Sequence, residues 1–157
     1  MRTRIIGLGN SILTDDAVGH HVIREINEQL GDRFPDIQTL ESEVAGFALI
    51  ELMDGWDRVV LVDAIKFDNV EPGTILKISP NDLRTSLRLR SVHEVDLPTA
   101  IELGRRSGFS MPKEIVVFAI QVQDMCTIGG DMTPSVAKAI SRVVDQIGCE
   151  IGVTKWY

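Results

Sequence analysis

Long apolar runs are missing from this chain. Nowhere in its 157 residues do the ~18 consecutive apolar side chains of a membrane span occur, and the N-terminal Met1-Arg2-Thr3-Arg4-Ile5 enters an apolar strand at once, without the layout of a signal peptide. The expectation is a protein that stays in the cytoplasm. Cysteine is scarce as well: Cys126 and Cys149 stand alone and form no CxxC pair, which excludes a zinc ribbon and a disulfide framework and leaves them as structural thiols that behave as small hydrophobes. Basic residues are in deficit, 16 Lys and Arg against 23 Asp and Glu, and the resulting net charge of −7 repels nucleic acid and anionic lipid. The one basic cluster, Arg84, Arg88 and Arg90, reads as a solvated face. Neither low-complexity segments nor internal repeats are present, so disorder and repeat architectures are excluded.

What is there is ordinary globular composition, 44% apolar and 25% charged, at a length suited to one domain over residues 1–157. Five strand signals alternate with helical patterns. Residues 4–9 form the first, and a helix from about Ala17 to Leu30 follows, with Val18, Val22, Ile23, Ile26 and Leu30 on one face. A second strand is expected near Ile37 to Glu41 and a helix from about Gly46 to Asp54. The continuous apolar run from Arg58 to Asp63 is the type found in a strand covered on both faces of a parallel sheet. The fourth strand, Thr74 to Ser79, follows a connection too short for a crossover helix, so it should run antiparallel. A short helix near Asn81 to Leu87, a longer one from about Asp96 to Arg106 with Pro98 in its first turn, and a fifth strand from Glu114 to Ile120 come next. Thr133-Pro134, an N-cap residue followed by proline at the first helical position, opens the last helix. The alternation implies a three-layer α/β/α sandwich, with function at the carboxyl ends of its parallel strands.

That rule directs attention to the loop from Gly7 to Gly19. Its Gly7-x-Gly9 lacks the third glycine of a dinucleotide fingerprint, since position 12 is Ile, and Asp15 and Asp16 would place negative charge where a pyrophosphate needs positive potential. One aspartate suffices to cap the following helix; Asp15 is expected to do so, with Asp15→Ala mainly weakening the helix start, and Asp16 is then free to face the crevice. Asp63 ends the apolar run of the central strand, where a bare carboxylate is costly unless something positive meets it. His93 lies between two segments in Ser91-Val92-His93-Glu94; His20 and His21, on the first helix, are weaker candidates. Asp16, Asp63 and His93 together offer two hard oxygens and one imidazole from three loops, a divalent-metal set that leaves a position open and does not choose among zinc, nickel, iron and manganese.

The chain resembles the hydrogenase maturation endopeptidases over nearly its full length. The resemblance rests on Gly7-Leu8-Gly9-Asn10 with Asp15-Asp16 and Gly19, on Leu49-Ile50-Glu51-Leu52-Met53-Asp54 leading into Val62-Asp63-Ala64, on Ser91-Val92-His93-Glu94, and on Ala119-Ile120-Gln121 with Pro134-Ser135-Val136. It implies an endopeptidase that removes the C-terminal extension from the precursor of a nickel–iron hydrogenase large subunit. It also implies metal binding by Asp16, Asp63 and His93, nickel supplied by the substrate, and a phosphorylase/hydrolase-like five-stranded mixed sheet whose antiparallel fourth strand lies outside the fifth. The chain departs from the usual pattern at Ala17, often Gly, and at Val122, often Pro, positions that bear on loop shape rather than on ligands. Two other functions fit parts of the pattern. A phospho-receiver domain shares the paired acids but needs a lysine after the fifth strand, where this chain has Gln121-Val122-Gln123; a metal-dependent amidohydrolase or peptidase with another substrate would keep the same three ligands.

Overall fold

The computed structural model describes residues 1–30, 33–82 and 96–153. Its sheet is built around β3 (Arg58–Ile65), in which every residue after Arg58 is buried. Neighbours along the strand face opposite ways. Val60, Val62 and Ala64 enter one apolar cluster, whereas Val59 and Leu61 enter another on the other face. A strand covered on both sides therefore carries a continuous apolar run, not an alternating one.

Flanking β3 are β1 (Thr3–Leu8) and β5 (Glu114–Gln121), both parallel to it; β2 (Ile37–Ser42) pairs parallel with β1, and β4 (Ile75–Ile78) pairs antiparallel with β5. The order is β2-β1-β3-β5-β4, so the fourth strand is antiparallel and outside the fifth, as expected. The phospho-receiver alternative, a parallel 2-1-3-4-5 sheet, does not have this arrangement.

Helices α1 (Val18–Leu30) and α4 (Pro134–Ile151) cover one face, burying Val22, Ile26, Val143 and Ile147 against Ile5, Val60 and Phe118. Helices α2 (Ala48–Met53) and α3 (Leu97–Arg106) cover the other through Leu49, Met53, Leu97 and Ile101. Asp96 caps α3, accepting from Thr99 N at 2.8 Å, with Pro in the first turn. Gly152, at φ 80°, ends α4, and Val153 N donates back to Gly148 O at 2.8 Å, a closure that needs the left-handed conformation. Of the helix expected from Asn81 to Leu87, a 3-10 turn at Pro80–Asp82 is seen; the remainder, with Arg84, Arg88 and Arg90, lies outside the described residues.

The cysteines depart from expectation. Both are exposed rather than buried. Cys149 follows the buried Ile147 and Gly148 and is rotated past them on α4, while Cys126 sits in a turn organised by Asp124, whose Oδ1 accepts from the backbone N–H groups of Cys126 and Thr127 at 2.9 Å.

Candidate active site

Three glycines bring the first loop onto the sheet. A Cβ on Gly7 would stand 2.2 Å from Gly19 O, and one on Gly19 would stand 2.4 Å from Leu8 O and 2.7 Å from Val62 O. The start of α1 therefore presses on the carboxyl ends of β1 and β3, and these glycines serve close packing rather than phosphate binding. Gly9, at φ 144°, lies against the carbonyl oxygen of Asp16, from which a Cβ would be 2.0 Å away.

This packing sets the two acids. Asp16 lies in the 3-10 turn Asp15–Ala17, is 3% exposed, and its Oδ2 accepts from Asn10 N at 3.3 Å. That turn packs against β3. Asp63, also 3% exposed, stands near the carboxyl end of β3 and accepts from Ala64 N at 2.8 Å. Burial pushes its carboxyl up from 3.8 to about 7, against the smaller opposing effect of the Ala64 hydrogen bond. The structure thus brings the Asp16 turn to the strand that carries Asp63. His93, the third expected ligand, lies outside the described residues. Among the described residues no group of three or more His, Cys, Asp or Glu side chains is arranged to hold a metal ion.

Asp15 departs from its expected role. It does not cap α1: the residue before the turn is Thr14, which makes no side-chain cap, and the Asp15 carboxylate instead reaches across to the loop after β5. There it accepts from Gln123 N at 3.0 Å, Asp124 N at 2.8 Å, Thr133 N at 2.8 Å and Thr133 Oγ1 at 2.7 Å. Thr133 is the N-cap residue of α4 by position, but its side chain makes no cap hydrogen bond and its hydroxyl is given to Asp15. Sequence reasoning also left Gln121 without a task. This residue is 2% exposed and its amide pairs with the main chain of Phe67 on the connection after β3. The atypical Val122 has a local reason as well: it is 1% exposed, and its N–H donates to Ile65 O at 2.9 Å, a bond that proline could not make.

The weaker histidine candidates lie apart from these acids in their contacts. His20 is buried, with Nε2 3.1 Å from Ser42 O and Nδ1 3.6 Å from Glu41 Oε2. His21 is exposed at the surface, with its pKa lowered by partial desolvation and by Arg24 and His20. Among the described residues no helix is long and apolar enough to cross a membrane.

Known proteins give the arrangement its context. The family model described as HycI, hydrogenase maturation protease, matches residues 20–150, a stretch that includes Asp63 and His93 and begins just after Asp16. The coenzyme F420 hydrogenase subunit delta of Methanothermobacter thermautotrophicus is 29% identical over 96% of this chain and 95% of its own length. The hydrogenase 2 maturation protease of Escherichia coli K12 is 25% identical over 94% of this chain and 88% of its own. In fold, the hydrogenase maturating endopeptidase HybD from Escherichia coli superposes with a TM-score of 0.77, at 24% identity, over 97% of this chain and 93% of that one. With most of its length matched by the family model and the same α/β sheet as a solved maturation endopeptidase, this chain belongs to the hydrogenase maturation protease family.

Proposed function

We propose that the chain is the endopeptidase that removes the C-terminal extension of a nickel–iron hydrogenase large-subunit precursor in the cytoplasm, after nickel has been inserted. In this reading Asp16, Asp63 and His93 recognise the nickel ion that the precursor holds. The ion belongs to the substrate, and the enzyme supplies the ligands that complete its coordination.

The observation that carries the proposal is the state of Asp63. A carboxyl buried near the end of the central strand, with its pKa pushed up to about 7 by desolvation, ionises more readily when a cation comes close to it. A cation arriving with the substrate would hold it ionised, so Asp63 binds strongly only when the ion is present. Asp16 adds a second oxygen from a turn packed on the same strand. His93 adds an imidazole, which must be neutral to ligate. A set of two carboxylates and one imidazole, with no thiolate, leaves coordination positions for the precursor's own ligands. Bound there, nickel offers Lewis acidity to the scissile carbonyl or to a water. The protein's part is to place the peptide bond beside the ion, and the closely packed turn around Asp16 makes that placement rigid.

The test is incubation of the purified enzyme with nickel-loaded and nickel-free precursor, followed by mass spectrometry of the large subunit. Loss of the extension from the nickel-loaded form alone is the expected result. Equal cutting of nickel-free precursor by chelator-treated enzyme overturns nickel recognition, and absence of cutting in both overturns the substrate.

A further inference from the structure

Asp15 is fully buried, lies outside the ligand set, and yet takes four hydrogen bonds from a loop more than a hundred residues away. Its own N–H completes the junction by donating to Asp124 O at 2.9 Å. Beyond this junction the two loops run together as a short antiparallel ribbon. Leu13 bridges Ile128, Thr14 N donates to Thr127 O at 2.9 Å, Thr14 Oγ1 donates to Gly129 O at 2.7 Å, and Gly129 N donates to Ile12 O at 2.7 Å. Asp15 thus fastens the base of the ribbon to the start of α4.

Its chain neighbour is Asp16. Because the two share one 3-10 turn, and because the carbonyl of Asp16 lies where even a methyl group on Gly9 would not fit, Asp16 has little freedom to shift while Asp15 is anchored. A buried carboxylate that satisfies four donors holds its position firmly, since each charge-assisted bond would be lost by movement. Capping α1 would have needed none of these partners.

We propose that Asp15 is a positioning residue for the processing reaction: it locks the 123–133 loop to the turn that carries Asp16, so that Asp16 and the loop meet the precursor as one preformed wall. The proposal rests on the reading of Asp16 given above. Groups that orient a metal-contacting side chain typically change affinity or activity by about 10–100-fold when altered, although they touch neither ion nor substrate.

Asp15→Asn keeps the size of the side chain but sets an NH2 group against donors. The expected result is a fall in kcat/KM on nickel-loaded precursor of about 10–100-fold, measured at a temperature where circular dichroism shows the variant as folded as the wild type. Thr133→Val, which removes one donor of four and covers the case that Asp15→Asn does not fold, should fall in the same direction by a smaller factor. Thr133→Ser, which keeps both donors, should retain wild-type kinetics; a merely structural role would lower the unfolding midpoint and leave the kinetics of the folded enzyme unchanged. Limited proteolysis without substrate should cut Asp15→Asn between residues 123 and 133 where the wild type resists. A folded Asp15→Asn enzyme that processes at the wild-type rate, or a loop that stays protected in it, overturns the proposal. Should the wild type itself leave nickel-loaded precursor uncut, the substrate reading fails, and the proteolysis result alone then decides whether Asp15 locks the loop.

Discussion

Gln121 and Phe67 are joined twice: Phe67 N donates to Gln121 Oε1 at 3.0 Å, and Gln121 Nε2 donates to Phe67 O at 3.1 Å. Gln121 ends β5 in register with Ile65 at the end of β3, so the pair holds the chain leaving β3 against the neighbouring strand, four residues beyond Asp63. Replacement by leucine keeps the volume and leaves both main-chain groups unpaired in a partly buried place. Gln121→Leu should therefore cost about 1–3 kcal/mol in urea unfolding, with Gln121→Glu, which lacks the donor, in between. A Gln121→Leu variant of wild-type stability would show that water satisfies Phe67 equally well.

Gly9 and Gly55 both adopt positive φ, 144° and 75°, but only Gly9 is also crowded. Gly55→Ala meets no atom within 4 Å and should show the backbone cost alone, about 1–2 kcal/mol, with processing intact. Gly9→Ala must in addition displace the Asp16 carbonyl, so it should lose both more stability and most of its processing activity. Comparison of the two variants by thermal unfolding and precursor cleavage checks this. Equal stability losses with activity kept in both would mean that the Asp16 turn yields freely.

Much of this fold was legible because its signals are local or periodic. The apolar run of β3, the helix start marked by Pro98 and the Thr133-Pro134 start each report on their own neighbourhood, and all three elements formed where expected. The direction of β4 followed from the length of its connection, but its place outside β5 came from family resemblance, since strand order depends on contacts that spacing does not encode. Asp63 could be singled out by its place near the end of the central strand, and Asp16 by its place in the loop that follows the first strand. The partner of Asp15 could not, because Thr133 lies 118 residues away and its hydroxyl abandons the local capping role that its sequence position suggests. The exposed cysteines failed for a similar reason: hydrophobicity of type does not fix which side of a helix or turn a residue occupies.

The raised pKa of Asp63 has a measurable consequence for stability. Its carboxyl ionises near 3.8 in the unfolded chain and near 7 in the folded protein. Between those values the folded state keeps a proton that the unfolded state has released, so stability falls as pH rises through the window. Above about 7 the cost is complete, on the order of 4 kcal/mol. Asp63→Asn removes the titration, so metal-free Asp63→Asn should gain stability over the wild type at pH 8 and lose that advantage near pH 4. Urea unfolding at the two pH values measures the difference. A difference that stays constant with pH would place the Asp63 carboxyl in contact with water.

The same proton governs processing if Asp63 meets nickel, because a carboxyl that holds its proton near neutrality must release it before it can ligate. His93 must likewise be neutral to ligate. Cleavage of nickel-loaded precursor should therefore decline as the pH drops below about 7, with the loss appearing first in KM, since the affected step is recognition of the ion. Asp16→Ala, Asp63→Ala and His93→Ala should each lower kcat/KM by more than about 100-fold, beyond the range typical of residues that only orient a ligand. Their circular dichroism should match the wild type, because two of the substitutions remove carboxylates whose burial opposes folding or serves one turn, and the third alters a single imidazole. Full activity in any one of the three removes that residue from the recognition set. Loss of activity in all three with a pH profile that stays flat from 8 to 5 would mean that the ligating groups are ionised by the protein itself rather than by the arriving ion.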